Sequence, residues 1–261
     1  MNNQLVLIDC QNDFCDVNGS LSVKGGNVDM YNLATMIRRL GGDIDQIHVS
    51  LDSHRTVDIA HPIFWKDKNG NHPEPLKTVI TSKNIEDGTW TTTNPALATY
   101  ALDYTKKIES NGRYPLVIWP PHTRIGTWGH SIYPIVMNEL IAWEEKFNIL
   151  NYILKGMNIL TEHYSIIKAE IIDPKDPATD INIDFLKTLM LANNIYIAGE
   201  ALSHCVANSV RDMVENGIDP NKMVLLSDCT SNVGTFEFLG DAFVKELTGK
   251  GMRVCKSTEV M

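Results

Sequence analysis

Six short apolar runs, mostly separated by stretches of helical pattern, constrain this chain more than any other feature. They lie at 5–8, 47–51, 116–119, 152–154, 195–198 and 223–226. Each is brief and nearly continuous, which fits strands buried on both faces, as in a parallel sheet covered by helices. Helical patterns fall near 28–40, 132–147, 182–193, 204–216 and 235–248. The alternation predicts an α/β fold: a doubly wound, open parallel sheet flanked by helices.

One segment interrupts the rhythm. Residues 62–115, between the second and third runs, are richer in Asn, Thr, Lys and Pro and read as an insertion or lid after the second strand. Within it Asn94-Pro95 reads as an N-cap and first-turn proline, opening a helix that Asn111-Gly112 would close. The expectation is a single domain over residues 1–261.

Composition narrows the class. A net charge of −9 and an isoelectric point near 5.3 argue against a protein that neutralises nucleic-acid phosphates. The five cysteines are widely spaced and form no CxxC pair, so neither a disulfide framework nor a zinc ribbon is indicated. The first strand-like run begins at Gln4, leaving no room for a signal peptide, and no apolar stretch is long enough to span a bilayer. A cytoplasmic location is expected.

Ligands of open α/β sheets bind beyond the carboxyl ends of the strands. The residues there are Asp9, Asp52 with His54, Trp119 with His122, Lys155, and the loop leading to Cys205. Cys205 is expected in the first turn of a helix, where free N–H groups and the helix dipole favour thiolate and can hold an oxyanion. Asp9 is a candidate acceptor for the thiol proton, and Lys155 a cation to steady the charges. Asp52 and His54 are two apart on an extended chain, so they share a side. With His122 they suit Zn²⁺, Mn²⁺ or Fe²⁺. His61 is a further candidate for that site, whereas His48 lies inside a strand run and reads as a core residue.

Taken in order, these blocks resemble the isochorismatase-like cysteine hydrolases, and most closely the nicotinamidases among them. Leu7-Ile8-Asp9-Cys10-Gln11-Asn12-Asp13-Phe14 is similar to the family's opening strand, with its catalytic Asp and an aromatic five positions later. Ser50-Leu51-Asp52-Ser53-His54 and Trp119-Pro120-Pro121-His122 are similar to its two metal blocks. Lys155-Gly156 with Glu162-His163-Tyr164-Ser165 resembles the catalytic lysine and its tyrosine-bearing loop, and residues 199–206 resemble the nucleophile block.

The resemblance implies an isochorismatase-like three-layer fold and a cysteine amidase with Asp9, Lys155 and Cys205 as its triad. It implies an oxyanion hole from the N–H groups of Ala201 and Cys205, and a cis peptide at Glu200–Ala201. Asp52, His54 and His122 would hold one divalent metal, Zn²⁺ first, with Mn²⁺ or Fe²⁺ as alternatives. Phe14, Trp119 and Tyr164 would wall the ring of a small-molecule amide. The implied reaction is hydrolysis of nicotinamide to nicotinate and ammonia through a thioester, a step of NAD salvage, by a homo-oligomer. The alternatives are the same chemistry on another small amide or ureido or carbamoyl compound, or a non-catalytic binding protein.

The chain departs from the family pattern at several points. Thr123 stands where nicotinamidases usually have Cys, and Glu200 replaces a small apolar residue. The insertion and the ~33-residue step from His122 to Lys155 are long.

Overall fold

The computed structural model describes residues 2–111 and 113–260. Its centre is a six-stranded, all-parallel sheet. The strands are β1 (Asn3–Ile8), β2 (Gln46–Asp52), β3 (Asn151–Lys155), β4 (Asn194–Gly199), β5 (Met223–Leu226) and β6 (Arg253–Cys255). Their order across the sheet is β6-β5-β4-β1-β2-β3. The chain therefore winds outward in one direction from β1 to β3 and in the other from β4 to β6. The switch point falls between β1 and β4, where such sheets open a crevice for ligands.

The central strands are apolar and buried along nearly their whole length, as residues covered on both faces must be. The covering helices are α1 (Gly26–Leu40), α2 (Ala98–Ser110), α3 (Pro134–Glu144), α4 (Ile183–Met190), α5 (Ala207–Glu215) and α6 (Glu237–Gly249). Helix α1 packs on α3 and α5 packs on α6, giving the three-layer α/β arrangement. Asn182 caps α4 by accepting from the Phe185 N–H. The helices lie within two or three residues of the sequence expectation.

Two strands depart from it. The run at 116–119 does not enter the sheet: Leu116–Val117 pairs antiparallel with Val79–Ile80. Four apolar residues bury equally well under a surface ribbon, and period alone does not separate the two cases. The sixth sheet strand is instead β6, an edge strand with Arg253 and Val254 exposed, which carries no apolar run to announce it.

Within 62–115, Pro62–Phe64 forms a 3₁₀ turn, Trp65–Lys66 pairs with Thr91–Thr92, and Ser82–Glu86 is a short helix. Asn94 accepts from the Ala96 N–H, and Pro95–Leu97 leads into α2 as read from the sequence. Gly112, expected to stop that helix, lies outside the described residues. Tyr100 Oη donates to the Leu160 carbonyl at 2.8 Å, and the Glu162 N–H donates to Tyr104 Oη at 2.9 Å. The segment thus props the 160–164 loop from outside. Among the described residues, no helix is long and apolar enough to cross a membrane.

Candidate active site

Three strand ends and one turn meet at the switch point. Asp9 follows β1 in a left-handed conformation (φ 50°), which swings its carboxylate off the strand axis. Ser50 of β2 brackets it: Ser50 Oγ donates to Asp9 Oδ1 at 2.5 Å, and the Asp9 N–H donates to Ser50 Oγ at 2.9 Å. Asp52 and Lys155 are register partners at the ends of β2 and β3, so their side chains rise together. The Lys155 ammonium lies 2.9 Å from Asp9 Oδ2, 2.8 Å from Asp52 Oδ1 and 3.6 Å from Cys205 Sγ. All four side chains are buried.

Cys205 belongs to a π-helical turn, Leu202–Val206, that leads directly into α5. The peptide before this turn, Glu200–Ala201, is cis. Tyr114 Oη holds the turn by donating to the Ser203 carbonyl at 2.7 Å. The pull of the helix end toward a thiolate is opposed here by burial. Burial pushes the Cys205 thiol well above its ordinary value, Lys155 lowers it by less, and Asp9 raises it further. Burial likewise raises the Asp9 carboxyl, against the pull of the Lys155 cation. Lys155 stays charged: burial opposes its charge, but Asp52, Asp9 and Cys205 together raise it well above an ordinary lysine.

Beside this cluster, ligand atoms of Asp52, His54 and His122 all lie within 4.8 Å of one another. His54 Nδ1 is 3.0 Å from Asp58 Oδ2, and His122 Nδ1 is 2.8 Å from the Pro120 carbonyl. With Nδ1 donating outward, both Nε2 atoms turn toward Asp52 Oδ2, at 3.1 and 3.3 Å. Two imidazole lone pairs and a carboxylate oxygen converging on one point form an acceptor set that a divalent cation satisfies, so the residues fit a metal. His61 packs its ring 5.1 Å from His54 and 5.4 Å from His122, and its buried Nε2 has no hydrogen-bond partner among the described residues.

Phe14, Trp119 and Tyr164 line one cavity together with Ala201, Lys155 and Cys205. Trp119 Nε1 donates to Tyr164 Oη at 3.1 Å, and Phe14 meets the His122 ring edge-on at 5.4 Å. Trp119 reaches this wall although its run is not a sheet strand. The cavity also contains Glu162, His163 and His204, none of which the sequence reading placed there. Burial keeps both imidazoles neutral at about 3, His163 with help from Lys155, and lifts Glu162 to about 7. His48, as expected, is packed between Gln4 and Asn151 at 3.0 Å each. Cys10, Cys15 and Cys229 are buried outside the cavity, and burial raises each thiol.

Local sequence choices keep the site open. At Gly156 (φ 76°) a Cβ would stand 2.8 Å from Asp52 Oδ1, so glycine is required beside the acceptor set. Thr123, in place of the usual cysteine, donates its N–H to Asp13 Oδ2 at 2.7 Å and sets its hydroxyl 3.4 Å from Asp52 Oδ2. The supporting residues Ser50, Asp58 and Gln11 were missed in the sequence. Gln11 accepts from the Asp52 N–H and donates to the Asp52 carbonyl, both at 2.8 Å. Asp58 was the easiest to find, as a carboxylate four positions after an imidazole.

No family model matches the chain. Among curated proteins it is similar to nicotinamidase of Saccharomyces cerevisiae, 25% identical over 226 residues, or 87% of this chain and 86% of that one. The solved yeast nicotinamidase with its inhibitor nicotinaldehyde superposes with a TM-score of 0.68 at 20% identity, covering 97% of this chain and 99% of that one. Pyrazinamidase of Pyrococcus horikoshii in complex with zinc gives a TM-score of 0.58 at 17% identity, covering 98% and 99%. The resemblance read from the sequence is borne out, and the chain carries the isochorismatase-like fold of these proteins.

Proposed function

We propose that this chain, as a bearer of the nicotinamidase fold, is a cysteine amidase that hydrolyses nicotinamide to nicotinate and ammonia. The observation that carries the reading is the Lys155 ammonium, held between the Asp9 carboxylate and the Cys205 thiol beside an acceptor set of Asp52, His54 and His122. Residues 1–261 are read as one hydrolase unit with 62–115 as its insertion.

Asp9, Lys155 and Cys205 form the triad of this mechanism. The buried thiol keeps its proton until substrate arrives, and Asp9 then takes it as Sγ attacks the carboxamide carbon. The carbonyl oxygen becomes an oxyanion facing the N–H groups of Ala201 and Cys205. Asp9 passes the proton to the amide nitrogen, the C–N bond breaks, and ammonia leaves a thioester on Cys205. Water then gives a proton to Asp9 and attacks the thioester carbon. The C–S bond breaks, the acid departs, and Asp9 returns the proton to sulfur. Throughout, Lys155 keeps a positive charge beside whichever of Asp9 and Cys205 is anionic.

Asp52, His54 and His122 would hold the metal, with the His61 ring packed beside them. Zn²⁺ suits this oxygen and nitrogen set, and Mn²⁺ or Fe²⁺ also accept it. Bound there, the metal supplies a Lewis-acid contact for the ring nitrogen of the substrate. Phe14, Trp119 and Tyr164 clasp the ring faces and edges.

The test is ammonia release from nicotinamide, pyrazinamide and a panel of small amides and ureido compounds, with Cys205→Ala as control. Turnover of nicotinamide that Cys205→Ala abolishes is expected. Turnover of ureido compounds alone would replace the substrate, and full activity in Cys205→Ala would overturn the mechanism.

A further inference from the structure

Glu200 is fully buried, yet the triad, the acceptor set and the cavity wall make no use of it. It precedes Ala201 directly, where the related blocks carry a small apolar residue. Its carboxyl lies beside that of Asp29, in the first turn of α1. Ser231, in the loop after β5, closes the group. Its N–H donates to Glu200 Oε2 at 3.1 Å, and its Oγ donates to Asp29 Oδ2 at 2.5 Å. Glu200 Oε1 accepts from no donor among the described residues. It rests against Gly26, where a Cβ would stand 3.3 Å away.

Two carboxyls in one buried group cannot both ionise without a cation between them. The groups facing Glu200 are Asp29 from α1, Cys10 after β1, Cys15 of the 12–15 helix, and Ser231 from the loop after β5; Asp228 and Cys229 face Asp29 in turn. None is a cation. The orphaned Oε1 is where a proton satisfies every partner. A proton held there leaves Oε2 to accept from Ser231 and the pair of carboxyls with a single negative charge.

We propose that Glu200 is a positioning residue: neutral, it shares one proton with Asp29 and ties the turn bearing Ala201 and Cys205 to helix α1 and the 229–231 loop. Its catalytic consequence rests on the amidase reading above, because it acts through the two backbone N–H groups assigned to the oxyanion. Burial, with Asp29 beside it, raises the Glu200 carboxyl well above a normal glutamate, in line with this. A raised carboxyl adds stability that is complete below its unfolded value and is lost as pH rises through the folded one. The lock therefore loosens as pH rises.

The experiment compares E200Q, E200A and D29N in the full chain. Glutamine keeps the shape, donating from Nε2 to Asp29 and accepting from Ser231, but cannot lose a proton. Thermal melts should show E200Q gaining on wild type as pH rises from acid upward, the direction in which a raised carboxyl loses its stabilising contribution. In nicotinamide hydrolysis E200A should lose roughly 10- to 100-fold in kcat with little change in KM, the scale expected for displaced oxyanion donors, and E200Q should restore most of it. Melts of E200Q and wild type that run parallel with pH would overturn the shared proton. Wild-type kcat in E200A would overturn the positioning role. If E200A fails to fold, D29N and E200Q carry both tests. If wild type hydrolyses no amide, the amidase reading has failed, while the melts and the iodoacetamide alkylation rate of Cys205 still judge the lock.

Discussion

Lys155 Nζ lies 2.8 Å from Asp52 Oδ1, so the cation beside the thiol is tied to the carboxylate on which two imidazoles converge. The two halves of the site are therefore one electrostatic unit. Charge changed among Asp52, His54 and His122 is felt at Asp9 and Cys205 through a single ammonium.

Removing that ammonium should be costly. Lys155→Met leaves Asp9 and Asp52 buried without their shared counter-charge, and breaking such a buried pair costs about 3–5 kcal/mol. Thermal or urea unfolding should show the loss, and turnover should fall by at least ~10³-fold for lack of a unit that acts together. A variant as stable as wild type would mean that Lys155 is not charged in the native state.

The resting thiol should be sluggish. Burial outweighs Lys155 at Cys205, so alkylation by iodoacetamide at neutral pH should be slower than for a free cysteine and should rise into alkali. Mass spectrometry locates the modified residue among the five cysteines. Rapid alkylation of Cys205 in the ligand-free protein at pH near 6 would show a preformed thiolate and argue against Asp9 as proton acceptor.

Asp58 is expected to matter for metal affinity although it lies outside the acceptor set. It holds His54 Nδ1 at 3.0 Å and so aims Nε2 at Asp52. Asp58→Asn should weaken metal binding by roughly 10–100-fold, measured by chelator competition, whereas His122→Ala should lower the metal content outright. Equal affinity in Asp58→Asn and wild type would remove Asp58 from this role.

Glu170 supplies a further pH dependence, from a buried carboxyl to which the mechanism assigns no step. Burial lifts its carboxyl to about 7, against Arg113, which lowers it, and its Oε1 lacks a partner among the described residues. The unfolded value is near ~4.3. The stabilising contribution of the neutral form is therefore complete below that pH and is lost as pH rises through about 7. Glu170→Gln should melt with wild type in acid and several degrees higher at pH ~9. Coincident melts at both ends would refute it.

The central strands could be read because residues buried on both faces must be apolar along their length, and that requirement is written locally. The helices followed for the same reason. The C-terminal strand β6 escaped because an edge strand pairs on one side and leaves Arg253 and Val254 in solvent, so it needs no apolar run. The run at 116–119 misled because burial beneath a ribbon asks for the same residues as burial in a sheet.

The site divides in the same way. Asp9, Asp52, Lys155 and the turn leading to Cys205 end or follow sheet strands, so the sequence alone determined that they would share a rim and which chemical groups that rim would carry. Only the tertiary structure decided the protonation balance. Whether Cys205 rests as thiol or thiolate, and whether Glu200 is charged, depends on how deeply each group is buried and on which charges from distant segments lie beside it. Lys155, Asp29 and Ser231 come to those neighbours from elements far apart in the chain. Desolvation and Coulomb energy act through space, and no spacing along the sequence encodes them.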